Sequence, residues 1–304
     1  HPTNPNVHIT KAKPPRHTLH LPPQAHTFSH VYHPPAQETK EAHYAHIMEA
    51  IEWVEWNQYV CSQSPSAPGP TKFSYALLKH CPPHLSDTLR ILTNVCLLLA
   101  DVPTDYKHSF LFPIAKIPGA AHVNKFRPIA LAEIGAKLLT GILTTRITKA
   151  AKTAPHPLFN HAQFGGVAGK STDDALLMWT LIMETLHTTN TPLHKVYADV
   201  TAAYDSVTTE SKTLSYWHAG LPDKFLYLMA ALDDEAQAEV LTTHVTKPKP
   251  LKLECGFRQG DPISPLGWVL FLNPLLQWLE KGLPSDTAQR ATHTHRLMPP
   301  NKNT

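Results

Sequence analysis

The sequence predicts a mixed α+β fold, and three observations carry that expectation. Residues 133–149 place Ile134, Leu138, Ile142 and Ile147 on one helical face. Lys195 to Val200 is a short apolar run of strand length, with the character of a buried strand. Val240 to Thr243 and Leu251 to Cys255 are two extended stretches able to pair as a hairpin. No internal repeat runs through the chain.

The remaining elements follow in order. Residues 1–37 are rich in Pro, His and Thr without a sustained period, which describes a disordered arm. Glu38 to Val60 is expected to form one helix, with Ile47, Ile51 and Val54 along a stripe. Ser66-Ala67-Pro68-Gly69-Pro70 is a turn cluster, and helices near Tyr75–Lys79 and Leu85–Leu99 come next. Phe110 to Ile117 is a strand carrying Lys116 near its end. Ser171 caps a helix running to about His187, with Asp174 placed for a capping box. A helix from about Ser206 stops at Gly220, with Pro222 beyond it. Pro265 to Leu279 is apolar nearly all round, so that helix is expected to be buried. Beyond Lys281 the chain turns polar and Pro-rich, and residues 283–304 are expected to be a disordered tail.

Composition narrows the function classes. The 304 residues carry 42% hydrophobic side chains, enough for a core, and a net charge of only +3. Charge is unevenly spread. From Lys107 to Lys170 there are nine Lys or Arg against one acid, Glu133, whereas from Asp173 to Glu235 there are ten acids against three bases. A basic block ahead of an acidic one suits a surface that grips phosphates beside a site that holds cations. Two ordinary solvated faces would show the same pattern.

Cys61, Cys81, Cys96 and Cys255 have no metal-like spacing and are expected to be reduced core residues of an intracellular protein, nuclear or cytoplasmic. The longest aliphatic run, Val95 to Ala100, is too short to span a bilayer, so no membrane partner is expected. Position 1 is His rather than Met, so the chain is expected to be a piece of a longer product. His17/His20, His30/His33 and His43/His46 form His-x-x-His pairs, but no Cys or Asp completes a zinc set.

Four segments carry chemistry. Lys116, with Lys125-Phe126-Arg127-Pro128-Ile129-Ala130-Leu131, sets two or three cations on strands flanking a turn, where they can hold a triphosphate. Gln163-Phe164-Gly165-Gly166 followed by Gly169-Lys170-Ser171-Thr172 invites a P-loop interpretation. That motif needs glycine where Phe164 stands, so a tight turn into a capped helix fits better. In Tyr197-Ala198-Asp199-Val200-Thr201-Ala202-Ala203-Tyr204-Asp205-Ser206-Val207, a carboxylate ends a buried strand. Burying Asp199 is costly unless a divalent ion or partner compensates it. Asp205 is either a helix N-cap or a second metal ligand. Finally, Cys255-Gly256-Phe257-Arg258-Gln259-Gly260-Asp261-Pro262-Ile263-Ser264-Pro265 leads into the apolar helix. Gly260 there lets a backbone approach a ligand, and Pro265 suits a first helical turn.

Together these segments resemble the ordered blocks of non-long-terminal-repeat retrotransposon reverse transcriptases. The likeness lies in Arg-Pro-Ile-Ala-Leu, Gln-Phe-Gly with Ser-Thr, Tyr-Ala-Asp-x5-Asp-Ser-Val, and Gly-Phe-Arg-Gln-Gly-Asp-Pro-Ile-Ser-Pro. Arg127 to Gln163 and Gln163 to Asp199 are each 36 residues, and Asp199 to Gln259 is 60. Ala67-Pro68-Gly69-Pro70 resembles the family's Ala-Pro-Gly-Pro-Asp turn, with Thr71 where Asp is customary. Asp261 after Gln259-Gly260 favours this lineage over the group II intron type. The likeness covers residues 60 to 282 or thereabouts.

The resemblance implies a right-hand polymerase fold, with N-terminal helices and fingers over 38–190, a partial palm over 191–282, and no thumb. It implies Lys116 and Arg127 on the phosphates of the incoming nucleotide, and Asp199 with the Val200 carbonyl on two Mg²⁺ ions. Tyr204 becomes a steric gate against a ribose 2′-hydroxyl, and Gln259 and Gly260 contact the nucleotide and template strand. Its partners would be an RNA template, a DNA primer and dNTPs. The reaction is in-line attack of a primer 3′-hydroxyl on the α-phosphorus, assisted by two metals. The family's aromatic-x-Asp-Asp hairpin has no counterpart after Pro265, so the chain is expected to be truncated before it and inactive alone. The other expectation is a non-catalytic nucleic-acid-binding remnant of a retroelement.

Overall fold

A computed structural model of the chain describes residues 42–154, 157–241 and 249–281. The arm over 1–37, the tail over 283–304, and the histidines at 17, 20, 30 and 33 lie outside these residues. In chain order the elements are α1 (Trp53–Ser62), α2 (Tyr75–His80), α3 (Pro83–Leu99), β1 (His108–Ala115), β2 (Phe126–Ala132), α4 (Ile134–Ala151), α5 (Thr172–Thr188), α6 (Thr209–His218), α7 (Asp223–Asp233), β3 (Gln237–Val240), β4 (Leu251–Lys252) and α8 (Ser264–Lys281). The chain divides into two units. One comprises Met48–Leu139 with Pro222–Glu254, and the other Thr140–Leu221 with Cys255 onward and the residues just before Met48.

The first unit holds a four-stranded sheet in the order β2-β1-β3-β4. β1 and β2 form an antiparallel hairpin, in register from Ser109↔Ala132 to Ala115↔Phe126. β3 lies parallel to β1, pairing His108↔Gln237 through Leu111↔Val240. β4 closes the other edge antiparallel to β3, at Gln237↔Lys252 and Ala238↔Leu251. Thr242 and Thr243, expected in that hairpin, lie outside the described residues. Pro113 sits past Leu111, the last β1 residue paired with β3, and its partner Pro128 lies on the edge strand β2. Neither proline therefore interrupts a strand that is paired on both sides.

The single helix expected from Glu38 to Val60 is interrupted: residues 42–44 are helical, but the helix does not continue to Val60. A 3-10 turn at Ala45–Met48 gives way to irregular backbone, and α1 begins only at Trp53. The cause is local. Ile51 gives its N–H to Asn94 Oδ1 (2.7 Å), and its carbonyl accepts from Arg90 (2.8 Å) and Asn94 Nδ2 (3.1 Å). Backbone groups satisfied from α3 are not available to a helical ladder. The fully buried Trp56 then anchors α1, its indole donating to Ser86 Oγ at 2.9 Å.

The Ala-Pro-Gly-Pro turn docks on the junction between β2 and α4. Thr71 N donates to the buried Glu133 carboxylate at 2.7 Å, the Thr71 hydroxyl donates to its other oxygen, and Lys137 Nζ donates to Ala67 O at 2.9 Å. A Cβ on Gly69 would sit 2.7 Å from the Ala132 carbonyl carbon and 2.8 Å from Glu133 N, so glycine is required there.

α4 bears out its predicted face, since Ile134, Leu138, Ile142 and Ile147 are all buried. In the second unit α5 begins with the expected capping box. The Ser171 side chain accepts from Asp174 N, and Asp174 reaches back to Ser171 N at 2.7 Å. Apart from its cap, α5 departs from a core helix: none of its residues is buried, and Leu176 and Leu177 are 58% and 61% exposed.

α6 starts at Thr209 rather than at Ser206, capped by Thr208, and ends as expected at Gly220 (φ 82°). α7 follows directly after Pro222, a helix with no counterpart among the sequence expectations. α8 corrects another expectation. Leu266, Val269 and Leu270 are buried, but Leu275 and Leu279 are exposed, so only part of the helix lies in the core. The cysteine expectation holds for the buried Cys96, whereas Cys61 and Cys255 are exposed. Burial, aided by nearby Asp101, pushes the Cys96 thiol up to about 11.

Candidate functional site

Lys116 and Arg127 both lie in the first unit, at the distal end of the β1–β2 hairpin. Lys116 N donates to Lys125 O at 2.8 Å, Lys116 Nζ reaches Asn124 O at 3.2 Å, and Arg127 pairs with Ile114 in the ladder. Both side chains are exposed. A short strand pair thus holds two cations out toward solvent.

In the second unit Asp199 and Val200 do not end a buried strand. Residues 191–200 have no regular structure, and Val196 and Tyr197 are 90% and 80% exposed. The physical reason is hydrogen bonding. A buried strand needs ladder partners for its backbone, and among the described residues β1 to β4 pair only with one another. The segment is held instead by Lys195, whose ammonium lies 3.6 Å from the Trp179 ring centroid and 4.1 Å from that of Tyr197. Asp199 is therefore solvated, and the burial argument for a compensating ion does not apply to it. Asp205 is not an N-cap either, because Thr208 takes that place and accepts from Ser211 N at 3.2 Å. Asp205 lies in an exposed turn over 201–206.

That turn has a defined backbone. Ala202 takes a positive φ of 50°, and its carbonyl accepts from both Asp205 N and Ser206 N at 3.0 Å. The strand-like stretch at Cys255–Phe257 is stitched onto it. Thr208 bridges Cys255, Gly256 N donates to Val207 O, and Phe257 N donates to Tyr204 O, both at 2.8 Å. Gly256 has φ 96°, and a Cβ there would lie 3.1 Å from Asp205 Cα. The buried Lys212 of α6 donates to Gly256 O at 3.0 Å and steadies the same crossing.

The consequence is a corner that joins two of the predicted segments. Tyr204 stacks on Trp268 of α8 (centroids 5.6 Å, 18° between planes) and meets Phe257 edge-on at 6.2 Å. Burial pushes its phenol above the ordinary tyrosine range. Gln259 and Gly260 sit two and three residues past Phe257, in a turn where Gly260 has φ 111°. Asp261 N donates to Arg258 O at 3.1 Å, and Ser264 Oγ donates to Arg258 O at 2.7 Å, which fixes the entry to α8. Tyr204, Gln259 and Gly260 are thus gathered on one corner. Lys116 and Arg127 belong to the other unit.

The packing contacts of several residues were not anticipated from the sequence. Gln163 is buried and donates to Val269 O (2.9 Å) and to Asn273, clamping the Gln-Phe-Gly turn to α8. Lys170 Nζ donates to His161 O (2.7 Å) and Gln163 O (2.8 Å) and lies over the Phe164 ring. Lys170 is thus engaged within its own turn, and with Phe164 where a P-loop needs glycine the segment is a tight turn leading into the capped α5. Trp268 carried one signal in the sequence, a tryptophan directly after a glycine in an apolar helix following the Gln-Gly turn.

The family profile described as reverse transcriptase (RNA-dependent DNA polymerase) matches residues 114–294, more than half of the chain. The chain belongs to the reverse transcriptase family. Its family activity is RNA-directed DNA polymerisation, which takes a template, a primer and nucleotides. The mixed α/β architecture with a small mixed sheet is compatible with such a domain. No helix among the described residues is long and apolar enough to cross a membrane.

Reverse transcriptases in general use divalent metals, which sets the donors present against the needs of Mg²⁺. Asp199 and the Val200 carbonyl are the donors the resemblance supplies. Among the described residues no group of three or more His, Cys, Asp and Glu could hold a metal ion. A hard ion needing near-octahedral oxygen coordination is not satisfied by one exposed carboxylate. The described residues do not fit a magnesium pair.

Proposed function

We propose that residues 1–304 form the template- and nucleotide-holding part of a non-long-terminal-repeat retrotransposon reverse transcriptase. Residues 38–190 act as N-terminal helices and fingers, and 191–282 as a partial palm. Lys116 and Arg127 grip phosphate through the β1–β2 hairpin. Tyr204 gates the sugar, Gln259 and Gly260 contact nucleotide and template, and Asp199 is the acid that the family pattern assigns to catalysis. The single observation carrying this reading is the corner at which Phe257 N–H meets Tyr204 O. It brings Tyr204 close to the segment that leads into the Gln-Gly turn, from stretches far apart in the chain, which supports a shared role. With one matching carboxylate, residues 1–304 by themselves hold a template–primer without extending it.

Salt titration tests the grip. Binding of an RNA–DNA template–primer should weaken as salt rises. Replacing Lys116 and Arg127 together by Ala should reduce the slope of log affinity against log salt by about 1–2. A salt-insensitive affinity, or an unchanged slope, refutes the assignment. The second reading, a non-catalytic nucleic-acid-binding remnant, is favoured by the sparse metal donors among the described residues. Such a remnant binds template–primer but shows no preference for dNTPs over rNTPs.

A further inference from the structure

Tyr204 is pinned by its backbone, but its ring is placed by other rings. The carbonyl of Tyr204 accepts from Phe257 N, and the turn around it is otherwise exposed at Thr201, Ala202, Asp205 and Ser206. One edge of the phenol meets Phe257. One face lies on the Trp268 indole, nearly parallel at 18°. Trp268 is itself backed by Phe271, one helical turn on, with centroids 5.6 Å apart. The three rings make a row running from α8 to the sugar-gating turn.

α8 can bring its indole there because of Gly267. A Cβ at that position would drive into the Phe257 ring and sit 2.8 Å from the Tyr216 hydroxyl, so only a bare backbone allows this approach. Gln163 ties the same helix down through the Val269 carbonyl, just beyond Trp268. The indole thus stands on a fixed support while Tyr204 stands on a turn.

We propose that Trp268 is a positioning residue that holds the Tyr204 ring in its gating orientation, and thereby sets the preference for deoxyribose over ribose. This rests on the reading of Tyr204 as the gate. An aromatic face is needed rather than bulk alone, since the offset-stacked contact fixes the plane of the phenol as well as its distance. An aliphatic side chain would fill the space and leave the ring free to turn.

The test uses the full chain bound to an RNA template and a dideoxy-terminated DNA primer, with dGTP and GTP titrated opposite a templating cytosine. The readout is the ratio of the two dissociation constants. Tyr204→Ala should abolish the preference for dGTP. Trp268→Leu, which keeps apolar volume without a flat face, should reduce the preference by about threefold or more, with template–primer affinity unchanged. Trp268→Phe should retain it. The Tyr204→Ala/Trp268→Leu double variant should lose no more than Tyr204→Ala alone, because both changes act through one ring. If Tyr204→Ala loses the preference while Trp268→Leu keeps it, or if the two losses add, Trp268 does not act through Tyr204 and the proposal is overturned. If the unmodified chain shows no preference for dGTP, the gate itself is refuted and this inference falls with it.

Discussion

Thr71 shows how much one side chain can decide. The family's turn customarily carries Asp after Ala-Pro-Gly-Pro, yet here the Thr71 hydroxyl donates to the buried Glu133 carboxylate. A carboxylate could not donate that bond and would face Glu133 as a like charge. Thr71→Asp should therefore destabilise the fold by about 1–3 kcal/mol in denaturant unfolding, while Thr71→Ser should be close to neutral. A Thr71→Asp variant as stable as the parent would show that the Glu133 contact contributes nothing. The same junction explains Gly69, whose missing Cβ is what lets the turn reach the Ala132 backbone. The turn motif works here as a structural clasp. Asp205 teaches the opposite lesson. A carboxylate at an apparent helix start suits a cap or a ligand, but the helix begins three residues past Ser206 and Thr208 caps it.

Among the elements, the Gln-Phe-Gly turn is attached to α8 through buried amides. Gln163 donates to Val269 O and Asn273, and Asn273 Oδ1 also accepts from Asn160 N at 3.1 Å. Gln163→Ala leaves the Asn273 amide oxygen and the Val269 carbonyl short of a donor. A loss of about 1–3 kcal/mol in unfolding free energy should follow, with increased proteolysis within residues 157–170. Unchanged stability would mean that solvent replaces the amide without cost. Elements set by their own residues were legible in advance: the Ser171 capping box, the Gly220–Pro222 stop, and the buried stripe on α4. Elements set by distant partners were not. Ile51 leaves the helix because Asn94 and Arg90 claim its backbone, and no pattern within 38–60 encodes that. Residues 195–200 have a strand's composition but no strand beside them. The site divides in the same way: the order and spacing of its segments could be read from sequence, whereas the Trp268 face under Tyr204 arises only when α8 docks.

For the molecule as a whole, the notable fact is how the chain is threaded. β1 lies beside β3 although Ser109 and Gln237 are 128 positions apart in sequence. Each unit is likewise assembled from stretches that the other interrupts. During synthesis the β1–β2 hairpin has everything it needs once Ala132 has emerged, but the inner edge of β1 must wait for Gln237–Val240. A loop that long closes late, because its entropic cost precedes any reward from pairing. Until then His108–Leu111 is an open strand edge, able to pair with another nascent chain. Pulse-labelled hydrogen exchange during refolding should show the hairpin amides that bond to β2 protected well before the Leu241 amide, which donates to Leu111 O. Simultaneous protection would show that the sheet closes in one step. If the order holds, the interval between those two events is when the protein is most exposed to self-association, and dilution or a holding chaperone would raise the yield of folded chain.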